Sequence, residues 1–308
     1  MLRSALIAAS RSAGCRSVVE RTPLMRPIVD RFVAGSAVDD AVRVAHELAA
    51  DRLISFDHLG EDTLDRAQAE QTVEAYRTVL ARLDAEGLGG KAEVSVKLSG
   101  LGQALAVDGE KIALENTRRI CEAAAAAGTT VTVDMEDHTT TDSTLSIVRA
   151  LRADFPATGT VLQAYLKRTE ADCADFAGPG SRIRLCKGAY DEPASVAYRD
   201  KSEVDASYVR CLKVLMAGQG YPMVATHDSR LIEIGERLAG QAGRSRDGYE
   251  FQMLYGVRPQ VQAQLAARGL RMRVYVPYGT EWYSYFMRRL GERPANMAFF
   301  LRALTRRG

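Results

Sequence analysis

Short β-rich apolar runs recur along the chain, and between them apolar positions repeat every three or four residues. The runs read LISFDHLGE from Leu53, AEVSVKLSG from Ala92, TVTVDMED from Thr130, TVLQAYL from Thr160, RIRLCKGAY from Arg182, PMVATHD from Pro222, YEFQMLYG from Tyr249 and RMRVYVPYG from Arg271. Each suits a buried strand, and several end in polar residues or glycine. Between the first two, Val73, Tyr76, Val79, Leu80 and Leu83 mark one helical face, with Gly87 placed to cap it. After the second run, a helix is predicted from about Glu110 through the alanines at 123–127 to Gly128, because alanine is the strongest helix former. Leu145, Val148 and Leu151 repeat at threes after the third run, and Val209, Leu212 and Leu215 do so after the fifth. SRLIEIGERLAG and RPQVQAQLAARG follow the sixth and seventh.

Strand and helix alternate, which implies a parallel sheet, since parallel strands need a crossover. Eight such units imply an α/β fold closed into a distorted, TIM-like (β/α)8 barrel. The competing open, doubly wound sheet is marked by a G-x-G-x-x-G turn, and the chain has none. Residues 1–50 are expected to form a helical segment packed on the barrel, with VDDAVRVAHELAADR its clearest amphipathic piece, and residues 51–308 the catalytic barrel.

A chain of 308 residues, 46% hydrophobic, can bury one large core. A net charge of +2 gives no bulk basic field for nucleic acid. The cysteines, Cys15, Cys121, Cys173, Cys186 and Cys211, are odd in number and lack a C-x-x-C spacing, which argues for a reducing cytoplasm over a disulfide framework or zinc knuckle. No apolar run approaches the ~18 residues of a membrane span. The N-terminal MLRSALIAASRSAGCRS is Arg/Ser-rich and acid-free, as in a transit peptide; a helix on the barrel rim is the preferred reading. The sequence sets no oligomeric state.

Active sites of such barrels lie at the C-terminal strand ends. Those ends supply Asp57, His58, Lys97, Asp134, Glu136, His138, Gln163, Arg184, Lys187, Thr226, His227, Asp228 and Tyr275. So many polar groups at one mouth are costly unless they pair or bind something. Lys97 could pair with Asp134 as barrel filling, and His227 could be a satisfied core histidine. The D-M-E-D-H run makes a metal cluster only if the third strand continues that far, and no metal is expected. Arg184, midway along a buried strand, needs a planar partner. After the eighth strand, Arg288, Arg289 and Glu292 share helical spacing, so the glutamate can reach back to both arginines. Tyr285 lies one turn earlier, and Phe286 and Leu290 can anchor the helix. The arginine pair makes a clamp for a carboxylate or phosphate.

RFVAG near Arg31, VSVKLSG, TVDMED, RLCKGAY, VATHD, YEFQMLYG, RVYVPYG and WYSYFMRRLGERPAN, in that order over nearly the whole chain, resemble the monofunctional proline dehydrogenase family. The resemblance implies non-covalent FAD, oxidation of L-proline to 1-pyrroline-5-carboxylate, and electron transfer to a membrane quinone. It implies that Arg288 and Arg289 grip the substrate carboxylate with Lys97 nearby, that Glu292 orients the arginines, and that Tyr275 and Leu254 pack on the substrate ring. Arg184 is implied near flavin N5, Gln163 and Met135 at the pyrimidine edge, Lys187, Gly188 and Ala189 along the ribityl and phosphate path, and Thr226 and His227 on the dinucleotide. Asp134 is implied to hold Lys97 or Arg184 and to assist proton handling. Quinone use implies peripheral contact with the inner face of a membrane, to which the basic end LRALTRRG could contribute. Two other readings stay open: a Schiff-base aldolase using Lys97 or Lys187, and a non-catalytic barrel that binds an anion.

Overall fold

The computed structural model describes residues 26–291. Eight parallel strands close into a barrel in sequence order: β1 (Leu53–His58), β2 (Ala92–Val96), β3 (Val131–Val133), β4 (Gly159–Gln163), β5 (Arg182–Cys186), β6 (Tyr221–Ala225), β7 (Glu250–Leu254) and β8 (Met272–Tyr278). The closing pair sets Ser55 beside Tyr275 and Asp57 beside Pro277. Ahead of the barrel lie α1 (Arg26–Val29) and α2 (Val38–Leu48). The crossovers are α3 (Arg66–Ala85), α4 (Gly109–Ala126), α5 (Thr141–Arg152), α6 (Thr169–Phe176), α7 (Lys201–Ala217), α8 (Ser229–Gln241) and α9 (Pro259–Ala267), and α10 (Trp282–Gly291) follows β8.

The eight strands and eight of the helices fall where the sequence pattern puts them. The helix after the fourth strand, α6, gave no hydrophobic signal because two of its four buried positions are polar: Thr169, Asp172, Cys173 and Phe176. Its inward stripe keeps helical spacing but not helical hydrophobicity.

The strands alternate sharply. Ile54, Phe56, Val94, Val96, Val131, Val133, Ile183, Leu185, Phe251, Met253, Val274 and Val276 are buried apolar residues under the helices. The residues between them point into the barrel, as their mutual bonds require. Arg184 of β5 reaches Ser55 of β1, Ser95 of β2 and Gln252 of β7, which is possible only across the interior. The lower layer is ionic. Arg182 Nη2 lies 2.6 Å from Glu93 Oε2, Arg273 Nε lies 2.6 Å from Glu250 Oε1, and Arg273 Nη1 lies 3.7 Å from Glu93. Burial alone would raise the Glu93 carboxyl, but Arg182, Arg273 and Arg184 outweigh it and hold it down at about 2.

The leading segment is stitched to the last strand. Ala34 N–H donates to Pro277 O and Gly279 N–H to Gly35 O, each at 2.9 Å. Ile28, Val29, Phe32 and Val33 form an apolar cluster with Leu59, Tyr283, Tyr285, Phe286 and Met287, so this segment helps seat α10. Phe286 is fully buried, as its anchoring role requires. The N-terminal run 1–25, including Cys15 and the transit-peptide or rim-helix reading, and the basic C-terminal run lie outside the described residues. Among the described residues the four cysteines are free thiols, and no helix is long and apolar enough to cross a membrane.

Candidate active site

The upper barrel layer gathers Asp57, Lys97, Asp134, Arg184 and Tyr275 into one bonded group. Lys97 Nζ donates to Asp57 Oδ2 at 2.6 Å and to Tyr275 OH at 3.3 Å, and lies 3.8 Å from Asp134 Oδ2. Asp134 Oδ1 accepts from Arg184 Nη1 at 2.6 Å and from Ser95 Oγ at 2.7 Å, while its Oδ2 accepts from Tyr275 OH at 2.7 Å. Asp134 therefore holds Arg184 directly, whereas the close carboxylate of Lys97 is Asp57. The Tyr275 ring also receives the Arg184 guanidinium, 5.2 Å from its centroid.

Burial would push the Lys97 ammonium down, but Asp57, Asp134 and Glu61 hold it above its ordinary value, so it stays charged. Burial raises the Tyr275 phenol, and Asp134 and Asp57 add to that, so it remains a donor. The Asp57 carboxyl is raised by burial against the pull of Lys97.

Helix α10 brings Arg288 and Arg289 over this layer. Arg288 makes a two-pronged bond to Glu61, in the loop after β1, and Glu61 Oε1 lies 4.0 Å from Lys97 Nζ. Burial would raise the Glu61 carboxyl, yet Arg288 and then Lys97 keep it below its ordinary value. The half-buried Arg289 stacks its guanidinium 5.3 Å from the Tyr285 ring centroid. Its charge pulls down on both the Glu61 carboxyl and the Cys186 thiol, so it lies within electrostatic reach of the mouth. Glu292, the expected partner of both arginines, lies outside the described residues. Glu61 was not among the strand-end candidates; it lies three residues beyond β1 and meets Arg288 only through the fold.

The other candidates line the strand ends from β3 to β7. Gln163 donates from Nε2 to Glu136 O at 2.7 Å, next to Met135. Lys187 Nζ lies 2.6 Å from Asp205 and 3.4 Å from Asp228. Gly188 follows with φ of 114°, and a Cβ there would run into the Tyr165 ring; only glycine fits this place. Ala189 and Tyr190 continue the loop. Burial pushes the Tyr190 phenol well up, with Glu61, Glu136 and Arg288 within electrostatic reach. Thr226 Oγ1 accepts from Asp228 N–H. His227 Nε2 accepts from Leu254 N–H at 3.0 Å, so the ring pins the end of β6 to β7, and its own carbonyl is held by Arg258.

The D-M-E-D-H run does not converge. Strand β3 stops at Val133, after which Asp134 turns to Arg184, Glu136 to Ser99 and His138 to Glu192. Glu136 accepts from Ser99 N–H at 3.0 Å and from its hydroxyl at 2.5 Å; burial nonetheless pushes its carboxyl up to about 7. Glu192 accepts from His138 N–H and from Tyr165 OH, tying together the loops after β3, β4 and β5.

The mouth thus holds four cations, Lys97, Arg184, Arg288 and Arg289, against three carboxylates, Asp57, Glu61 and Asp134. Beside it runs a rim of amide, ammonium, hydroxyl and side-chain-free backbone groups from Gln163, Lys187, Thr226 and Gly188.

Known proteins resemble this chain over nearly its whole length. The sequence profile of a family described as proline dehydrogenase matches residues 41–302. "Proline dehydrogenase" of Deinococcus radiodurans is 41% identical over 282 residues, spanning 91% of this chain and 90% of the relative. "Proline dehydrogenase 1" of Bacillus subtilis strain 168 is 40% identical over 278 residues, with 90% of each chain covered. Among solved structures, proline utilization A from Bdellovibrio bacteriovorus, inactivated by N-propargylglycine, superposes with a TM-score of 0.79 at 24% identity, over 90% of this chain and 33% of that one. The likeness to that longer protein is one of fold. On the family match and the near full-length identity to the curated relatives, the chain belongs to the proline dehydrogenase family.

Proposed function

We propose that the protein oxidises L-proline to 1-pyrroline-5-carboxylate with FAD as cofactor and a membrane quinone as final electron acceptor. The carrying observation is the continuous charged path Arg288–Glu61–Lys97–Asp57 across the barrel mouth, with Arg184 beneath it. In this reading residues 51–308 are the catalytic unit, and residues 1–50 pack on it.

Arg288, Arg289 and Lys97 bind the proline carboxylate. Charge-assisted, forked bonds to a carboxylate fix orientation as well as affinity. To engage the substrate, Arg288 exchanges all or part of its pairing with Glu61. Glu292 is the remaining candidate for orienting the two arginines. Tyr275 and Leu254 bound the apolar side of the ring and limit its size. The cofactor would be held by Arg184 near N5, Gln163 and Met135 at the pyrimidine edge, Lys187, Gly188 and Ala189 along the ribityl and phosphate path, and Thr226 and His227 at the dinucleotide. Bound there, FAD supplies a hydride acceptor and passes two electrons onward. Holding proline's C5 toward that acceptor is the protein's main task. Both oxygens of Asp134 are already committed to Arg184, Ser95 and Tyr275, which favours a holding role over that of a free base.

The aldolase reading needs a lysine that can become neutral. Lys97, held charged by three carboxylates, is a poor one, and Lys187 is paired to two aspartates. Proline-dependent dye reduction by the FAD-loaded protein tests the proposal. It is expected in the wild type and strongly reduced in Arg289→Ala. Borohydride trapping of a carbonyl substrate on either lysine, without dye reduction, would overturn it. Transfer to quinone in liposomes no faster than to soluble quinone would remove the membrane contact.

A further inference from the structure

Beneath the mouth, Gln252 joins two charged layers that would otherwise compete for Arg184. Its Oε1 accepts from Arg184 Nε at 2.5 Å, and its Nε2 donates to Glu250 Oε1 at 2.5 Å. A guanidinium N–H demands an acceptor and a carboxylate demands a donor, so both neighbours require the same amide orientation. Gln252 is 3% exposed, and its main-chain carbonyl is taken by Thr226 N–H, so the side chain stands on a fixed strand.

Arg184 has carboxylates on two sides. Asp134, above, lies 2.6 Å from Nη1; Glu93, below, lies 3.6 Å from Nη2. Ser95 and Ser55 share its Nη groups, but its Nε has Gln252. An unpaired buried N–H is costly, and a charge left to choose moves toward the better-paired side. Gln252 is uncharged, so it anchors Nε without neutralising the cation, and its other end is tied to Glu250.

We propose that Gln252 is a positioning residue that keeps the Arg184 charge at the barrel mouth and thereby raises the reduction potential of the bound flavin. The inference rests on the flavin reading given above. A cation held near the reacting ring favours its electron-rich, reduced form. Without Gln252 the Nε edge loses its acceptor and the guanidinium turns about its bond to Asp134, so that support weakens.

The test is the midpoint potential of the purified, FAD-loaded protein, alongside its melting temperature. Gln252→Leu is expected to disfavour reduction at least tenfold, about 30 mV for a two-electron couple. Gln252→Glu keeps the shape, should the leucine variant not fold. Protonated, its carboxyl still donates to Glu250 and accepts from Arg184, so its potential matches the wild type at low pH. Once ionised it sets a third carboxylate against Arg184, and the gap to wild type widens as pH rises. A merely structural glutamine predicts lower melting temperatures with unshifted potentials and no pH-dependent gap; that result overturns the inference while leaving the flavin assignment standing. A wild type that takes up no flavin overturns both.

Discussion

Arg288 and Glu61 meet across the barrel mouth as a fork on a carboxylate, Nη1 2.9 Å from Oε2 and Nη2 2.5 Å from Oε1. The pair joins the final helix to the loop after the first strand, 227 residues apart in sequence. In effect the Glu61 carboxylate occupies the binding geometry that a substrate carboxylate would use. On the proposed function, affinity for substrate is a difference between two carboxylates competing for one guanidinium.

That competition separates affinity from stability. Arg288→Ala should raise KM for proline by about tenfold or more, the worth of a charge-assisted hydrogen bond. It should also lower the melting temperature, because Glu61 is left partly buried without its partner. Adding Glu61→Ala should restore stability but not KM. Steady-state kinetics and thermal denaturation on the three variants check this.

Tyr275→Phe removes one donor from Asp134 and one acceptor from Lys97 while leaving the aromatic face over Arg184. A loss of about 1–3 kcal/mol in unfolding free energy is expected from a buried carboxylate deprived of a bond. Urea denaturation at constant pH measures it. A change under 0.5 kcal/mol, on the order of a surface substitution, would contradict the bonding described.

Glu136 sets a pH dependence of stability. Its carboxyl is raised from 4.5 to about 7 by burial, against the opposing bonds from Ser99. Between these values the folded state keeps a proton that the unfolded chain has lost. The stabilisation is thus complete below pH 4.5 and is lost as pH rises toward 7. Its full size is on the order of 3 kcal/mol, taking 1.36 kcal/mol per unit. Glu136→Gln should remove this descent, so the variant's own curve is flatter and its stability gains on the wild type as pH rises from 4.5 to 7. Glu93, held at about 2, acts oppositely and only in acid, its contribution vanishing as pH falls from 4.5 through 2.

Gly188→Ala should weaken FAD retention more than it weakens the fold. The added methyl strikes the Tyr165 ring in a loop whose φ of 114° already disfavours a side chain. Displacing Tyr165 loosens its bond to Glu192 and with it the strap that joins three loops. Flavin fluorescence released on dilution reads the retention directly.

The barrel was legible because each strand carries an apolar row of its own, and six of the seven crossover helices carry an apolar stripe. The strand-end rule then placed Lys97, Asp134, Arg184 and Tyr275 in one mouth, and they are bonded there. What the pattern did not carry was pairing. Glu61 and Gln252 owe their places to partners on other strands and helices, and no local spacing encodes a contact across a closed barrel. The ionic lower layer of Glu93, Arg182, Glu250 and Arg273 escaped for the same reason. Helix α6 escaped because its buried face is half polar.

Proline's amine is protonated at neutral pH, and a hydride leaves more readily from beside a neutral nitrogen. The rate of flavin reduction by proline, followed in stopped flow, should therefore rise with pH through one ionisation of the bound substrate. With Asp134 already saturated by donors, that ionisation should persist in Asp134→Asn, at a lower plateau.

The most direct measurement is the visible spectrum of the purified protein under anaerobic conditions, before and after L-proline. A flavin band that bleaches with proline, and fails to bleach at the same concentration in the Arg288→Ala, Arg289→Ala double variant, is the expected result. A wild type that stays folded but shows no flavin band after incubation with FAD, or keeps its band unchanged in saturating proline, would contradict the account.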